Sequence, residues 1–229
     1  PARWTTSVIG GATVFELKRS IERRHLTLGI RGYARTDRNT DIHEHRNQLG
    51  FVRGDFAAIQ FDAGVKNYAL TGCSVPGTTA GLVIVQMQLV LFNDGSRTSS
   101  SDRTGDVIAY LRIYRSSDWM SPQNVLDVVG QLTRCANSSC SQETPLALAS
   151  VGQILVGNVS TFVIIWDGAG SRVLFYKDNG PEVSLPYSQP VVTISQIRTL
   201  AAYTVVPNCT TVPRPVSEVT AIIDNIEVL

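Results

Sequence analysis

The chain predicts an all-β fold: a single two-sheet antiparallel β-sandwich of the jelly-roll kind, stapled by disulfides. Three observations carry that expectation. Apolar residues alternate with a period of two, as in Asp106–Arg115, where Val107, Ala109, Leu111 and Ile113 share one face and Tyr110, Arg112 and Tyr114 the other. Residues 161–180 read as a hairpin and a second turn. In it two β-branched and aromatic runs flank Asp167-Gly168-Ala169-Gly170-Ser171, and Asp178-Asn179-Gly180-Pro181 ends the second run. Charged residues are only 17% of the 229, below the roughly 25% usual for soluble proteins, which favours neutral sheet faces over charged helices.

In chain order, residues 1–11 form an arm ending in Gly10-Gly11, followed by a sandwich domain over 12–229. The Thr5–Ile9 part of the arm suits a sheet edge, and Trp4, Val8 and Ile9 are its candidate self-association residues. Ala12–Arg19 and His25–Arg35 read as strands joined by the basic run Lys18–Arg24, a solvated turn. Thr36–Gly50 is polar and reads as a long loop. Phe56–Val65 and Gly81–Phe92 alternate again, the latter with Val83, Val85, Met87 and Leu89 on one side and Leu82, Ile84, Gln86 and Gln88 on the other. A small-polar loop, Asn93–Gly105, leads into Asp106–Arg115. Val125–Cys135, Leu146–Val156, the hairpin, Pro190–Val206 and Val216–Leu229 complete the strands. Within Pro190–Val206, a short helix over Val191–Leu200 is opposed by the β-branched Val192-Thr193-Ile194. The first and last strands of the sandwich are both strongly apolar and are expected to pair.

The 43% hydrophobic content supports a sizeable core, and a net charge of +1 leaves no clustered cationic excess for nucleic acid. No apolar run reaches the length of a membrane-spanning helix. The chain begins at Pro1 rather than Met, which reads as a chain freed of a leader, and its four cysteines suit an extracellular or cell-surface setting. Cys135 and Cys140 enclose a six-residue ring, leaving Cys73 and Cys209 to join across the fold. Loop-closure arithmetic gives about 2 kcal/mol for the small ring and about 5 for the large one. The C-x4-C spacing departs from the pattern of zinc sites.

Ile164-Ile165-Trp166-Asp167-Gly168, Val173-Leu174-Phe175-Tyr176 and the ending Ala221-Ile222-Ile223-Asp224-Asn225-Ile226-Glu227-Val228 resemble the corresponding strands of concanavalin A-like (laminin-G-like) lectin and glucanase jelly rolls. The wider chain resembles secreted bacterial proteins of unassigned function, through Thr104–Val107, Asn124–Val128 and Val206–Pro215. The resemblance implies a lectin-like sandwich. It does not carry catalysis over, because a glycosidase of that fold places two carboxylates across a cleft, commonly as Glu-x-Asp-x-x-Glu. The seven Glu residues here (16, 22, 44, 143, 182, 218 and 227) never fall in that spacing.

Among other constellations, His43 and His45 are alternate residues able to meet one metal ion, with Asp37 and Asp41 nearby. Asp94, Asp102 and Asp106 offer oxygen ligands suited to Ca2+, although their spacing is not that of an EF-hand loop; no other cofactor is expected. All three His lie within residues 25–45, and no nucleophile elbow is present. Trp166 sits among core-like residues, whereas Trp119 lies in the loop Ser116–Pro122 and, with Tyr114, is the candidate sugar platform. The expectation is a non-catalytic extracellular protein that self-associates through its arm as a sheath or filament subunit. The alternative is a carbohydrate-binding, lectin-like module with glycans as partners; a glycan hydrolase or lyase ranks third.

Overall fold

The computed structural model describes residues 58–71, 80–194 and 217–223 in full. Elsewhere it describes strand backbone only, at 3–9, 12–18, 20–22, 25–27, 30–33, 43–51, 195–206, 216 and 224–228. The chain starts with β1 (Arg3–Ile9), β2 (Ala12–Lys18), β3 (Ser20–Glu22), β4 (His25–Thr27), β5 (Ile30–Tyr33) and β6 (His43–Phe51). The long strands β7 (Ala58–Leu70), β8 (Leu82–Asn93), β9 (Asp106–Ser116) and β10 (Val125–Cys135) follow. Then come β11 (Glu143–Leu155), β12 (Val159–Asp167), β13 (Arg172–Lys177), β14 (Val183–Pro186), β15 (Thr193–Val206) and β16 (Val216–Val228).

Two antiparallel sheets carry the fold. One has the order β1-β2-β16-β7-β12-β13-β14 with β5 also on β16, and the other the order β11-β10-β9-β8-β15-β6. A small β3–β4 pair stands apart from both. The expected hairpin is β12–β13, in register from Phe162 against Lys177 to Asp167 against Arg172. Ser171, at φ 50°, is the non-glycine residue that takes the left-handed conformation in its turn. The expected pairing of first and last strands is also present, as β2 on β16 with Ala221 opposite Leu17.

Period-two alternation places the core between the sheets. Val83, Val85, Met87 and Leu89 of β8 and Val107, Ala109, Leu111 and Ile113 of β9 are buried against Phe61, Phe162, Ile164 and Phe175 of the other sheet. A bulge between Val90 and Phe92 shifts the β8–β9 register by one residue. Leu91 and Phe92 therefore both reach the core, where strict alternation puts only Leu91.

One expectation requires correction, and one alternative falls away. The polar stretch 36–50 is not one loop, since its second half forms β6 and pairs with β15 from His43–Val206 to Phe51–Arg198. A sheet-edge strand needs only backbone hydrogen bonds along one side, so His-Glu-His-Arg-Asn-Gln pairs without an alternating apolar face. The helix alternative over Val191–Leu200 also fails, because β15 starts at Thr193 and pairs with β8. The β-branched run decides that segment.

Candidate functional site

The sandwich end where β9 runs out is built around a charged residue in an apolar position. The inward phase of β9 runs Val107, Ala109, Leu111, Ile113, so the next inward residue is Arg115, and it is only 4% exposed. Its Nη1 donates to Ser121 Oγ (3.0 Å) and to the carbonyls of Pro122 (3.0 Å) and Val125 (2.8 Å). Its Nη2 donates to the Ser121 carbonyl (2.7 Å). A planar fork with several fixed donors suits this task, because it satisfies carbonyls that a loop crossing a sheet end leaves open. Arg115 thereby pins the segment 116–125 across the end of the sandwich. Ser117 N–H donates to the Gly81 carbonyl (2.9 Å), Gly81 N–H returns to Ser117 Oγ (2.9 Å), and Val156 N–H donates to the Asn124 carbonyl (2.9 Å). From β7, Tyr68 Oη donates to the Gln123 carbonyl.

The loop presents Trp119. Its ring meets Tyr114 edge-on, with centroids 4.9 Å apart at 71°, and Arg115 Cζ lies 6.0 Å from the Trp119 ring centre. Both aromatic residues are half-buried, so the pair is fixed without being covered. The neighbouring Met120 is 99% exposed. Between this loop and the end of β7 lies a cleft of about 710 Å³, lined among others by Asn67, Tyr68, Arg115, Trp119, Gln123 and Asn124. Its described lining holds no Asp, Glu or His. Burial raises the Tyr68 hydroxyl pKa, with Arg115 pulling in the opposite direction, so it stays a neutral donor at physiological pH. Burial, with Asp127 adding to it, likewise raises that of Tyr114.

Of the sequence-derived candidates, this brings Trp119 and Tyr114 together. Arg115, Tyr68 and Met120 were not singled out. Arg115 has a readable signal, a charge at an inward position of an alternating strand; Tyr68 has none, lying 55 residues from Gln123. Trp166 packs on the core, ring-stacked with Phe92 at 5.9 Å, and its Nε1–H donates to Tyr187 Oη (2.9 Å).

The remaining candidates lie elsewhere. Cys135 and Cys140 are bonded, Cα atoms 4.8 Å apart, whereas Cys73 and Cys209 lie outside the described residues. His43 and His45 fall on β6 opposite Val206 and Thr204, and their side chains are outside the described set, as are those of Trp4, Val8 and Ile9. Among the described residues no three His, Cys, Asp or Glu converge as a metal site. Asp94 accepts from Arg134 Nε (2.5 Å) and the Ser96 N–H (3.0 Å). Asp102 accepts from the Thr98 N–H (2.8 Å), Thr98 Oγ1 (2.9 Å) and the Thr104 N–H (2.9 Å).

Those bonds make the 93–106 loop acid-sensitive. Burial works against the Asp94 charge, but the hydrogen bonds from Arg134 and Ser96 outweigh it and hold the carboxyl below its usual range. The Thr104 and Thr98 donors hold Asp102 well below the usual range. A depressed folded-state pKa gives stability that is present above the unfolded value, about 3.9, and lost as pH falls through the folded one. The melting temperature is therefore expected to drop as pH falls from about 4 toward 2. An Asp94→Asn/Asp102→Asn double variant, followed by thermal unfolding across that window, is expected to be less stable at neutral pH and to show a shallower acid limb. An acid limb as steep as that of the parent chain would contradict this.

No protein-family model matches the chain, and no curated protein matches it. Solved structures do. A Bacteroides ovatus glycoside hydrolase family 16 protein from a mixed-linkage glucan locus, bound to its product, superposes with a TM-score of 0.51 at 12% identity, over 99% of this chain and 85% of that one. A family 16 endo-glucanase from the same organism gives 0.49 at 12% identity, again over 99% and 85%. A carbohydrate-binding module, CBM66 of Bacillus subtilis, gives 0.39 at 10% identity, over 99% and 90%. The expectation of a sheath or filament subunit is overturned on two counts. The first of these structures, matched over nearly the whole chain, is a family 16 glycoside hydrolase in complex with its product. The arm meant to join neighbouring molecules is not a separate extension but β1, the edge strand of the chain's own sheet, paired from Arg3–Lys18 to Ile9–Ala12 with β2. At these identities the likeness is one of fold, and the fold is a concanavalin A-like jelly-roll β-sandwich.

Proposed function

We propose that this chain is a glycan-binding β-sandwich, a lectin-like module acting outside the cell, with the cleft between β7 and the 116–124 loop as its saccharide seat. The observation that carries the reading is Trp119, held edge-on by Tyr114 and standing half-exposed in the lining of a cleft whose other polar groups are mostly neutral amides and hydroxyls. A sugar ring presents apolar C–H faces and a rim of hydroxyls. An immobilised indole suits the faces, and the Asn67, Gln123 and Asn124 amides and Ser117 and Ser121 hydroxyls suit the rim. The described lining lacks the pair of carboxylates that glycosidic cleavage requires, which favours binding over hydrolysis at this place.

Trp119→Ala is expected to weaken the tightest glycan found on an array by at least about tenfold, as the loss of an aromatic anchor does. The melting temperature should move by only a few degrees, because Trp119 stands at the rim. Isothermal titration of parent and variant with that glycan, with the recovered glycan checked for cuts, provides the measurement. An unchanged affinity would remove the cleft from the reading, and shortened glycan would replace binding with catalysis.

A further inference from the structure

We infer that the cleft selects acidic saccharides, chains bearing carboxylates or sulfate esters, and seats one anionic group over Arg115. This deepens the glycan-binding reading and rests on it. Arg115 is permanently charged and 4% exposed. All four of its hydrogen bonds to the loop go to uncharged acceptors: three carbonyl groups and the Ser121 hydroxyl. These satisfy its N–H groups and supply no opposing net charge. Among the described residues no carboxylate forms an ion pair with it.

The contrast with the other cations is informative. Arg103, Arg134 and Arg172, all more exposed, pair with Asp106, Asp94 and Asp167 at 3.3, 2.5 and 2.8 Å. Arg112 is also met by neutral groups, Gln86, Gln131 and the Tyr110 ring, but it does not line this cleft. Asp118, the acid adjacent to Trp119, is taken by the Ser116 hydroxyl and is not part of the lining. A buried cation whose described partners are all uncharged is unfavourable, and low-dielectric walls carry its field to the nearest open space. That space is a cleft with no described carboxylate in its lining. An anionic substituent there meets an attraction that water and salt screen only weakly, from a cation whose Cζ lies 6.0 Å from the centre of an aromatic ring suited to the sugar that bears it.

The test varies the ligand, so it does not depend on a variant folding. Titration calorimetry of the intact chain compares polygalacturonate oligomers with the same oligomers reduced at their carboxyls, a sulfated galactan with its desulfated form, and neutral mixed-linkage β-glucan oligomers. One acidic member is expected to bind at least about tenfold more tightly than its neutralised counterpart, and to lose most of that margin between about 0.05 and about 0.5 M NaCl. Which pair shows the margin distinguishes carboxylate from sulfate. Equal affinity within both pairs, or binding of the neutral glucan alone, overturns acidic selection and leaves the glycan-binding reading standing. If no probe binds, both fall.

Discussion

Phe92→Ala is expected to cost about 4 kcal/mol and to lower the melting temperature by roughly 10 °C. Phe92 is fully buried and bridges the two sheets: its ring centre lies 5.9 Å from that of Trp166 on β12 and 5.0 Å from that of Tyr187. Removing it deletes two aromatic contacts and leaves a void that rigid neighbours fill poorly. It also loosens Trp166, whose Nε1–H donates to Tyr187 Oη. Against a typical domain stability of about 5–15 kcal/mol, one such deletion is a large fraction. Phe92→Leu should cost less than half as much, since most of the volume remains. Chemical denaturation of the three chains, with the denaturant slope held in common, measures both differences. A Phe92→Ala shift below about 1 kcal/mol would mean that this ring is not central to the packing.

Phe92 also marks the limit of reading the fold from period-two alternation. The alternation in β8 and β9 is legible, and so is the β12–β13 hairpin, because each is a local consequence of which residues suit a pleated, half-buried surface. The register shift that turns Phe92 inward is not local; it depends on how β8 pairs with Val107 and Ile108 of β9. β6 escaped for a different reason, as its pairing uses backbone groups that every residue carries. At the candidate site, Trp119 is conspicuous as an aromatic in a Ser-rich loop, whereas the cleft exists only when β7 and the 116–124 loop meet at the same end of the sandwich. Arg115 lies between these cases. Its inward phase is written in the strand, but its partners Ser121, Pro122 and Val125 become evident only once the loop has folded back.

Gly130→Val is expected to destabilise the chain by about 3 kcal/mol, and Gly130→Ala by about half that. Gly130 sits mid-strand in β10, between Leu111 of β9 and Ala149 of β11, at an inward position where every neighbouring strand carries a side chain. A Cβ placed on it would stand 2.8 Å from Phe175 Cδ2 and 3.0 Å from Cε2. The Phe175 ring is wholly buried, so it cannot swing clear as a flexible surface side chain would. The glycine is thus the hole into which the opposite sheet places an aromatic ring. Reducing that ring tests the claim, because Gly130→Ala combined with Phe175→Leu should cost less than the sum of the single changes. A coupling of about 1 kcal/mol in a double-mutant cycle is the expected reading, and strict additivity would contradict it. The strand that Gly130 keeps close to the opposite sheet begins at Val125, whose carbonyl accepts from Arg115. Crowding at Gly130 is therefore also expected to raise amide exchange in the 116–125 segment, coupling the packing between the sheets to the order of the cleft.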